Sequence, residues 1–588
     1  MAKNKDVSII RKLSHFLTGY WKDTILTWVF VFLEAALEIL VAFFLQYLLA
    51  AVEKQSLSGI YLWSGIISGM AIFSAVMGIL AGYWCSSAAS GFGKNLRDAE
   101  FVQIQKFSFS NIDKFSPSSI VTRTTTDVTN IQNSFMMTIR TVIRAPFMLV
   151  FALIMSFVTA PSLAWIFLLI VPLVLLALLY TATAVHPIFV RVFTTYDALN
   201  QSVEEDVDGI RVVKSFDRKK FHTNKFKKVS AFIHDNFIKA EKKLAFNMPV
   251  MDLAIFASMT LIAYLGAKNI IQYQNTHLRI DALTTLFTYV MMILMSLMMV
   301  SMVYVMIIIS RNSAERVIEI IEEKPDIVSP ENPVKEVKNG DVSFENVSFH
   351  YGLGKNVLEK VNLSFHSGET IGITGPTGSS KTTLVSLIGR LYDVTEGKVL
   401  VGDVDVKDYD LKVLRDSVAV VLQKNMLFTG TIRDNLKWGK EDATDEEIQK
   451  AADLAQASEF LSRFPQGLDT PIVEGGNNVS GGQKQRLCIA RALLKDPKIL
   501  ILDDSTSACD THTDFLIREG LRKTRPDVTK FIIAQRVSSI KDCDKILVLD
   551  NGGKILDIGN NEELLQRCPV YKDLYTSQLG GGDFDVHD

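Results

Sequence analysis

Three long stretches of the chain carry no aspartate, glutamate, lysine or arginine: Gln55 to Gly93, Ala145 to Val190 and Ala282 to Ser310. A helix needs about 20 apolar residues to cross a bilayer, so the middle stretch predicts two spans, turning at Ala160-Pro161-Ser162. Two less pure segments, Asp23 to Val52 and Ala245 to Ala267, complete six predicted spans. The polar, helix-compatible loops between the second and third and between the fourth and fifth spans predict helices that continue beyond the bilayer. Each contains a helix-breaking point suited to a short transverse segment, Ser116 to Thr122 and Val207 to Phe216, the first marked as a helix start by Ser116-Pro117. After residue 340 the pattern changes to short buried-strand runs, such as Glu369 to Thr374, Val418 to Gln423 and Lys498 to Leu502, separated by helical segments. The expected architecture is a six-span α-helical transmembrane domain over residues 1–311, a polar linker over 312–340 with Pro325, Pro330 and Pro333, an α/β domain over 341–579, and a tail at 580–588.

Composition adds little to this, because 48% hydrophobic residues averages an apolar first half with a polar second one. The net charge of −2 gives no argument for nucleic acid. The five cysteines lack paired spacing, so neither a disulfide nor a zinc site is expected. Placement of Lys and Arg is more informative. Lys3, Lys5, Arg11, Lys12 and Lys22 precede the first span, Lys94 to Arg123 supplies five and Arg191 to Lys243 twelve, against Lys54, none, and Lys268 with Arg279 in the intervening loops. By the positive-inside rule both termini, both long loops and the α/β domain are expected in the cytoplasm. The first apolar segment is too long for a cleaved signal and follows a 22-residue polar arm.

The candidate chemistry centres on Gly375-Pro376-Thr377-Gly378-Ser379-Ser380-Lys381-Thr382-Thr383, which follows the strand Glu369 to Thr374 and opens a helix read at Leu384 to Leu391. In such a loop backbone N–H groups wrap phosphates, the lysine reaches the outer phosphates and the following hydroxyl binds Mg²⁺, which assigns Lys381 to phosphate and Thr382 to metal. Gln423 ends a strand with an amide that can reach metal or water. Ser480-Gly481-Gly482-Gln483 opens the helix Lys484 to Leu494 as a second phosphate-binding terminus, and Asp503 ends a strand where Mg²⁺ ligands sit in open α/β sheets.

In order, Gly375 to Thr382, Gln423, Val479 to Gln483 and Leu502-Asp503-Asp504 resemble the Walker A, Q-loop, signature and Walker B motifs of ABC transporters. Ser507-Ala508-Cys509-Asp510 looks like the D-loop, and six spans ahead of this domain resemble a half-transporter of the bacterial multidrug-type exporters. The resemblance implies bound ATP and Mg²⁺, an adenine-stacking role for Tyr351, and coupling-helix roles for Ser116 to Thr122 and Val207 to Phe216. It also implies a two-chain sandwich, in which Ser480 and Gly482 act on a partner's nucleotide. Three positions depart from the family: Ser380 replaces the last glycine before the lysine, Asp504 the catalytic glutamate, and Gln535 the switch histidine. An aspartate is a methylene shorter, and a neutral amide cannot share a proton with the γ-phosphate. The expected protein is the degenerate-site subunit of a heterodimeric, ATP-hydrolysing exporter in the bacterial plasma membrane, completing a homologous partner's hydrolytic site and moving amphipathic small molecules. Lipid or peptide export is the alternative, ahead of an ATP-gated channel or regulatory subunit.

Within the spans, Glu34 and Glu38 share one face of the first helix and suit either a cationic substrate or pairing with Arg140 or Arg144. Met295, Met299, Met302 and Met306 form a stripe suited to varied ligands or to plain packing. Gly65, Gly69, Gly78 and Gly82 predict close helix contacts, and Asp252, near the cytoplasmic end of the fifth span, reads as structural or snorkelling.

Overall fold

The computed structural model describes residue 9 and residues 11–272, 280–352 and 354–579. Lys3, Lys5, Arg279 and the tail 580–588 lie outside the described residues. The chain forms two compact units, one of residues up to 105 together with 116–323, the other of residues 106–115 together with 324 onward.

The first unit is helical. In chain order α1 is Trp21–Glu53 and α2 Leu57–Ile104, while α3, Phe109–Lys114, belongs to the other unit. Then follow α4 Pro117–Thr122, α5 Val128–Thr159, α6 Pro161–Asp208, α7 Ile210–Ser215, α8 Lys219–Leu244, α9 Asn247–Gln272 and α10 Ile280–Glu322. Among the described residues six segments are long and apolar enough to cross a membrane. Only a helix satisfies a spanning segment's backbone without partners in lipid. The 48 residues of α2 extend about 72 Å, against a hydrocarbon core of about 30 Å, so the polar loops do continue the spans as helices. The predicted turn is present, with Ala160 non-helical and Pro161 opening α6. The packed centre of the bundle includes Ile39, Leu163, Phe167, Ile262, Leu286 and Tyr289. Where α4 meets α5, a π-helical turn over Arg123–Asp127 buries Asp127, which accepts from Arg316 Nε at 2.8 Å and from Ser313 Oγ at 2.7 Å on α10.

Two expectations are corrected. Residues 312–322 are the end of α10 rather than linker, because the helix pattern continues through Ala314, Val317, Ile318 and Ile320, all buried. Ser116 does cap a helix, accepting from Ser119 N, but α4 stays in the membrane unit. The segment that joins the nucleotide unit is the one just before it, 106–115. There Ser110 Oγ donates to Asp326 at 2.6 Å and Asn111 Nδ2 to Lys324 O at 3.2 Å. Asp113 accepts from Tyr392 Oη at 2.7 Å, with the Phe109 ring 5.9 Å from that of Tyr392. The second transverse segment contains α7, whose side chains are unburied, Phe216 beside it being 74% exposed.

The nucleotide unit contains β1 Val342–Phe349, β2 Leu358–Phe365, β3 Thr370–Thr374, β4 Glu396–Val401, β5 Val404–Asp405, β6 Val418–Val421, β7 Ile499–Asp503, β8 Thr529–Ile533, β9 Lys545–Asp550 and β10 Lys554–Gly559. An antiparallel sheet orders them β2-β1-β4-β5, and a six-stranded sheet β10-β9-β3-β8-β7-β6, parallel except for β10. In a parallel sheet all the strands end on the same edge, so the loops after β3, β8, β7 and β6 emerge side by side. Those four loops carry the phosphate loop, Gln535, Asp504 and Gln423.

Candidate nucleotide site

The loop after β3 has the shape its glycines allow. At Gly375, with φ of +149°, an added Cβ would stand 2.1 Å from Leu549 O, so no side chain fits. Gly378, with φ of +87°, has nothing within 4 Å and is open toward a ligand, beside exposed Thr377. Ser379 is buried beneath the loop. Lys381 Nζ donates to Gly375 O at 2.9 Å, Pro376 O at 2.8 Å and Ser379 Oγ at 3.1 Å, curling over the cradle. Helix α11 is Lys381–Ser386, earlier and shorter than the predicted Leu384 to Leu391.

Ser380 caps that helix in the left-handed region, at φ 62° and ψ 25°. A residue with a Cβ loses roughly 1–2 kcal/mol there, partly offset in the reverse change by glycine's greater freedom in the unfolded chain. Ser380→Gly is therefore expected to stabilise the nucleotide unit by about 0.5–1 kcal/mol, read as a higher Tm with ATP binding retained. A lower Tm would show that the serine is held by something other than its backbone.

Around the loop the structure gathers the other predicted residues. Thr382 Oγ1 donates to Asp503 Oδ2 at 2.8 Å, bringing the two expected Mg²⁺ ligands together. Tyr351, 41% exposed, shares a hydrogen bond of 3.0 Å with the Thr383 hydroxyl and packs edge-on against Tyr392, 5.2 Å between rings. Asp504, itself at φ 47°, accepts from Gln535 Nε2 at 3.3 Å and from Gln423 Nε2 at 3.5 Å. Burial pushes the Asp503 and Asp504 carboxyls above their ordinary range, against the Thr382 hydroxyl and the Gln423 amide respectively. Burial lowers Lys381, against both carboxylates. Two partly desolvated carboxylates facing one ammonium leave the site short of positive charge, which a hard divalent cation at Thr382 and Asp503 would supply. The donors and the glycine cradle fit a Mg²⁺-bound nucleoside triphosphate.

The helix predicted as a second phosphate-binding terminus is α12, Gly481–Leu493, with Ser480 as cap: Ser480 N donates to Gln483 Oε1 at 2.9 Å and Gln483 N to Ser480 Oγ at 3.3 Å. The helix starts before the predicted Lys484 because this capping box ties down the glycines. A cleft of about 330 Å³ opens beside Ser480, Gly481, Gly482, Arg486 and Asp510. No phosphate-loop residue lines it. The Ser480 to Gly482 segment thus faces a cleft separate from the phosphate loop.

Sequence reasoning missed three positions. Gln578 donates to Gln535 O at 3.0 Å and accepts from Val537 N at 2.8 Å, holding the Gln535 loop. Gln485 accepts from Ala508 N at 2.9 Å, joining the signature helix to the loop at Ser507 to Asp510. Tyr392 connects Tyr351 to Asp113. None carries a motif, and all depend on contacts distant in sequence.

The membrane candidates fall out differently. Arg144 donates to both Glu34 and Glu38. Asp252 is exposed. Along α10 the exposed methionines are Met291, Met295, Met298 and Met302, whereas Met299 and Met306 are half-buried, so the open edge is rotated from the predicted stripe. Of the four span glycines only Gly78 makes a close contact, an added Cβ standing 2.9 Å from Glu34 Oε1; Gly65, Gly69 and Gly82 have nothing within 4 Å. The predicted glycine contacts therefore reduce to one, since the other three glycines face away from neighbouring helices.

Comparison with known proteins agrees with this layout. Residues 24–315 match the profile described as ABC transporter transmembrane region, and residues 358–507 the profile described as ABC transporter. The uncharacterized ABC transporter ATP-binding protein YfiB of Bacillus subtilis is 32% identical over 538 residues, covering 90% of this chain and 91% of that one. The fatty acid ABC transporter ATP-binding/permease protein of Mycobacterium bovis is 33% identical over 469 residues, 80% of this chain and 74% of that one. In structure the chain resembles a bacterial Atm1-family ABC exporter with ATP bound, with a TM-score of 0.81 at 24% identity, covering 96% of this chain and 99% of that one.

Proposed function

Because the chain belongs to the ABC transporter family, carrying a transmembrane region and an ATP-binding domain in one polypeptide, we propose that it is the degenerate-site half of a heterodimeric exporter. The observation that carries this reading is the Asp504 carboxylate held between two neutral amides, Gln423 and Gln535. A general base needs a carboxylate within reach of the attacking water and a neighbour able to exchange a proton or charge. Here the carboxylate is on the shortest side chain that can bear one, and both neighbours are neutral amides that donate to it through Nε2 without exchanging a proton. Mg²⁺-ATP, when bound, supplies the phosphoanhydride whose hydrolysis drives the cycle. This chain's Lys381 and phosphate loop bind it, Thr382 and Asp503 hold the metal, Tyr351 stacks on adenine, and hydrolysis there is slow. Ser480, Gly481, Gly482 and Gln483 complete the competent site of a homologous second chain, which supplies a glutamate and a histidine.

The nucleotide units lie in the cytoplasm of a bacterial cell, and their closing is passed to the spans through the segments at 106–115 and 207–216. The two conformations bind the amphipathic cargo with different affinity, as any pump requires. Similarity to a protein named for fatty acid transport supports a lipid-like cargo beside a drug-like one. Purified alone, the chain is expected to turn over Mg²⁺-ATP negligibly, and co-expression with a homologous half-transporter from the same cell to raise the rate. Vigorous turnover by the chain alone, absent in Lys381→Ala, would sink the asymmetric reading.

A further inference from the structure

The charges buried among the spans are not free carboxylates. Arg144 on α5 takes both acids of α1, donating from Nη1 to Glu34 Oε1 at 2.5 Å and from Nη2 to Glu38 Oε1 at 2.8 Å and Oε2 at 3.0 Å. Arg140, one turn earlier on α5, keeps a single looser ion pair, 3.6 Å from the same Glu34 oxygen. Its side chain is 41% exposed, whereas that of Glu34 is 10% exposed. The Glu38 side chain is 30% exposed, but both its oxygens accept from Arg144, so the most exposed and least paired charge of the cluster is the Arg140 guanidinium.

Its position in the span is as telling as its sign. Arg140 precedes the Ala160-Pro161 turn by about 28 Å of helix, close to the full depth of an apolar core of about 30 Å. It thus sits near one boundary of the core, the one on the side of the Lys- and Arg-rich loops. Continuing along the same face of α5 toward the turn come Arg144, Phe147 and Phe151. The two phenylalanines form an aromatic wall with Phe32 of α1, ring centroids 4.4 Å apart for Phe32 and Phe147 and 5.7 Å for Phe147 and Phe151. A half-paired guanidinium at the boundary, followed inward by an apolar wall, has the polarity order of an amphiphile with an anionic head. An Arg in a span normally faces water, a cavity or another polar group rather than lipid, and the planar fork of a guanidinium matches a carboxylate.

We propose that Arg140 recognises the head of a long-chain carboxylate, which lies with its chain along Phe147 and Phe151. The inference rests on the exporter reading for the fate of this ligand, but its binding is independent of nucleotide. The test uses the full chain in phosphatidylcholine nanodiscs without ATP, with displacement of cis-parinaric acid by oleate or by oleylamine, corrected for empty nanodiscs. Oleate is expected to bind at least about tenfold more tightly than oleylamine. Arg140→Gln should abolish that preference, and Arg140→Lys should keep most of it. Equal binding of the two amphiphiles by the unmodified chain, or a preference for oleylamine, would overturn the proposal even if a variant failed to fold. So would an Arg140→Gln protein with unchanged oleate affinity, or one whose only defect is weaker association with a second half-transporter. If binding follows the expectation but inside-out vesicles that also carry the co-expressed homologous half-transporter show no ATP-driven oleate uptake, it is the exporter reading that fails.

Discussion

Changing Asp504 to glutamate and Gln535 to histidine together is expected to raise ATP turnover at this chain's own Walker site by about 10²-fold or more. Both residues already stand at the right place, on neighbouring parallel strand ends, with Gln535 Nε2 3.3 Å from Asp504 Oδ2. What they lack is reach and proton chemistry. Glutamate extends the carboxylate by one methylene toward the attacking water. Histidine, with an ordinary pKa near about 6.5, can hold or release a proton that an amide cannot. Each change alone should give much less, since groups that act as a unit are not additive. On the proposed heterodimeric reading two chains assemble the site, so the measurement belongs with the co-expressed pair, the glutamate proposed for the partner removed. ATP affinity should be nearly unchanged, because Lys381, Thr382 and Asp503 are untouched. If binding is intact and the rate does not rise, the limiting defect is elsewhere, with Ser380 the next candidate.

Replacing Arg144 with leucine is expected to destabilise the membrane unit by about 3–5 kcal/mol, as breaking a buried ion pair leaves its partner charges uncompensated. Here there are two such partners, Glu34 and Glu38, and Glu34 Oε2 and Arg144 Nε are already without hydrogen-bond partners. Arg140 can swing toward Glu34 and recover part of the loss, but cannot serve both acids. Thermal unfolding of detergent-purified protein, together with yield, measures the effect. Adding Glu34→Gln and Glu38→Gln to Arg144→Leu should recover most of the lost stability, because no carboxylate is then left unpaired and Arg140, which loses its looser partner Glu34, has a side chain 41% exposed. A triple variant as unstable as the single one would mean that Arg144 acts through packing, not charge.

These two expectations differ in how much of each was legible before the fold was known. The residues of the nucleotide site stand in contiguous motifs, so their types and spacing single them out as candidates. That Asp504, Gln423 and Gln535 meet at one carboxylate follows from strand order, which places β6, β7 and β8 side by side although up to 112 residues separate Gln423 from Gln535. The membrane cluster was only half readable. Glu34 and Glu38 are a helical turn apart and visibly a pair, but their partner is 106 residues from Glu38, and α5 could present either Arg140 or Arg144. Which arginine is consumed and which stays accessible is a matter of helix rotation and packing distance. The same holds for the methionines of α10, whose open edge is rotated from the stripe that spacing suggests.

By itself the amino-acid sequence determined the spans, because twenty uncharged residues in a row have few alternatives to a membrane helix, and the nucleotide chemistry, because phosphate binding uses backbone that only particular local residues allow. Tertiary structure decided the rest: that 106–115 rather than 116–122 joins the nucleotide unit, that Gln578 and Tyr392 brace the site, and that the most exposed charge in the cluster with Glu34 and Glu38 is the Arg140 guanidinium. Such contacts join residues far apart in the chain, and their energies depend on distance and burial, which residue order alone does not specify.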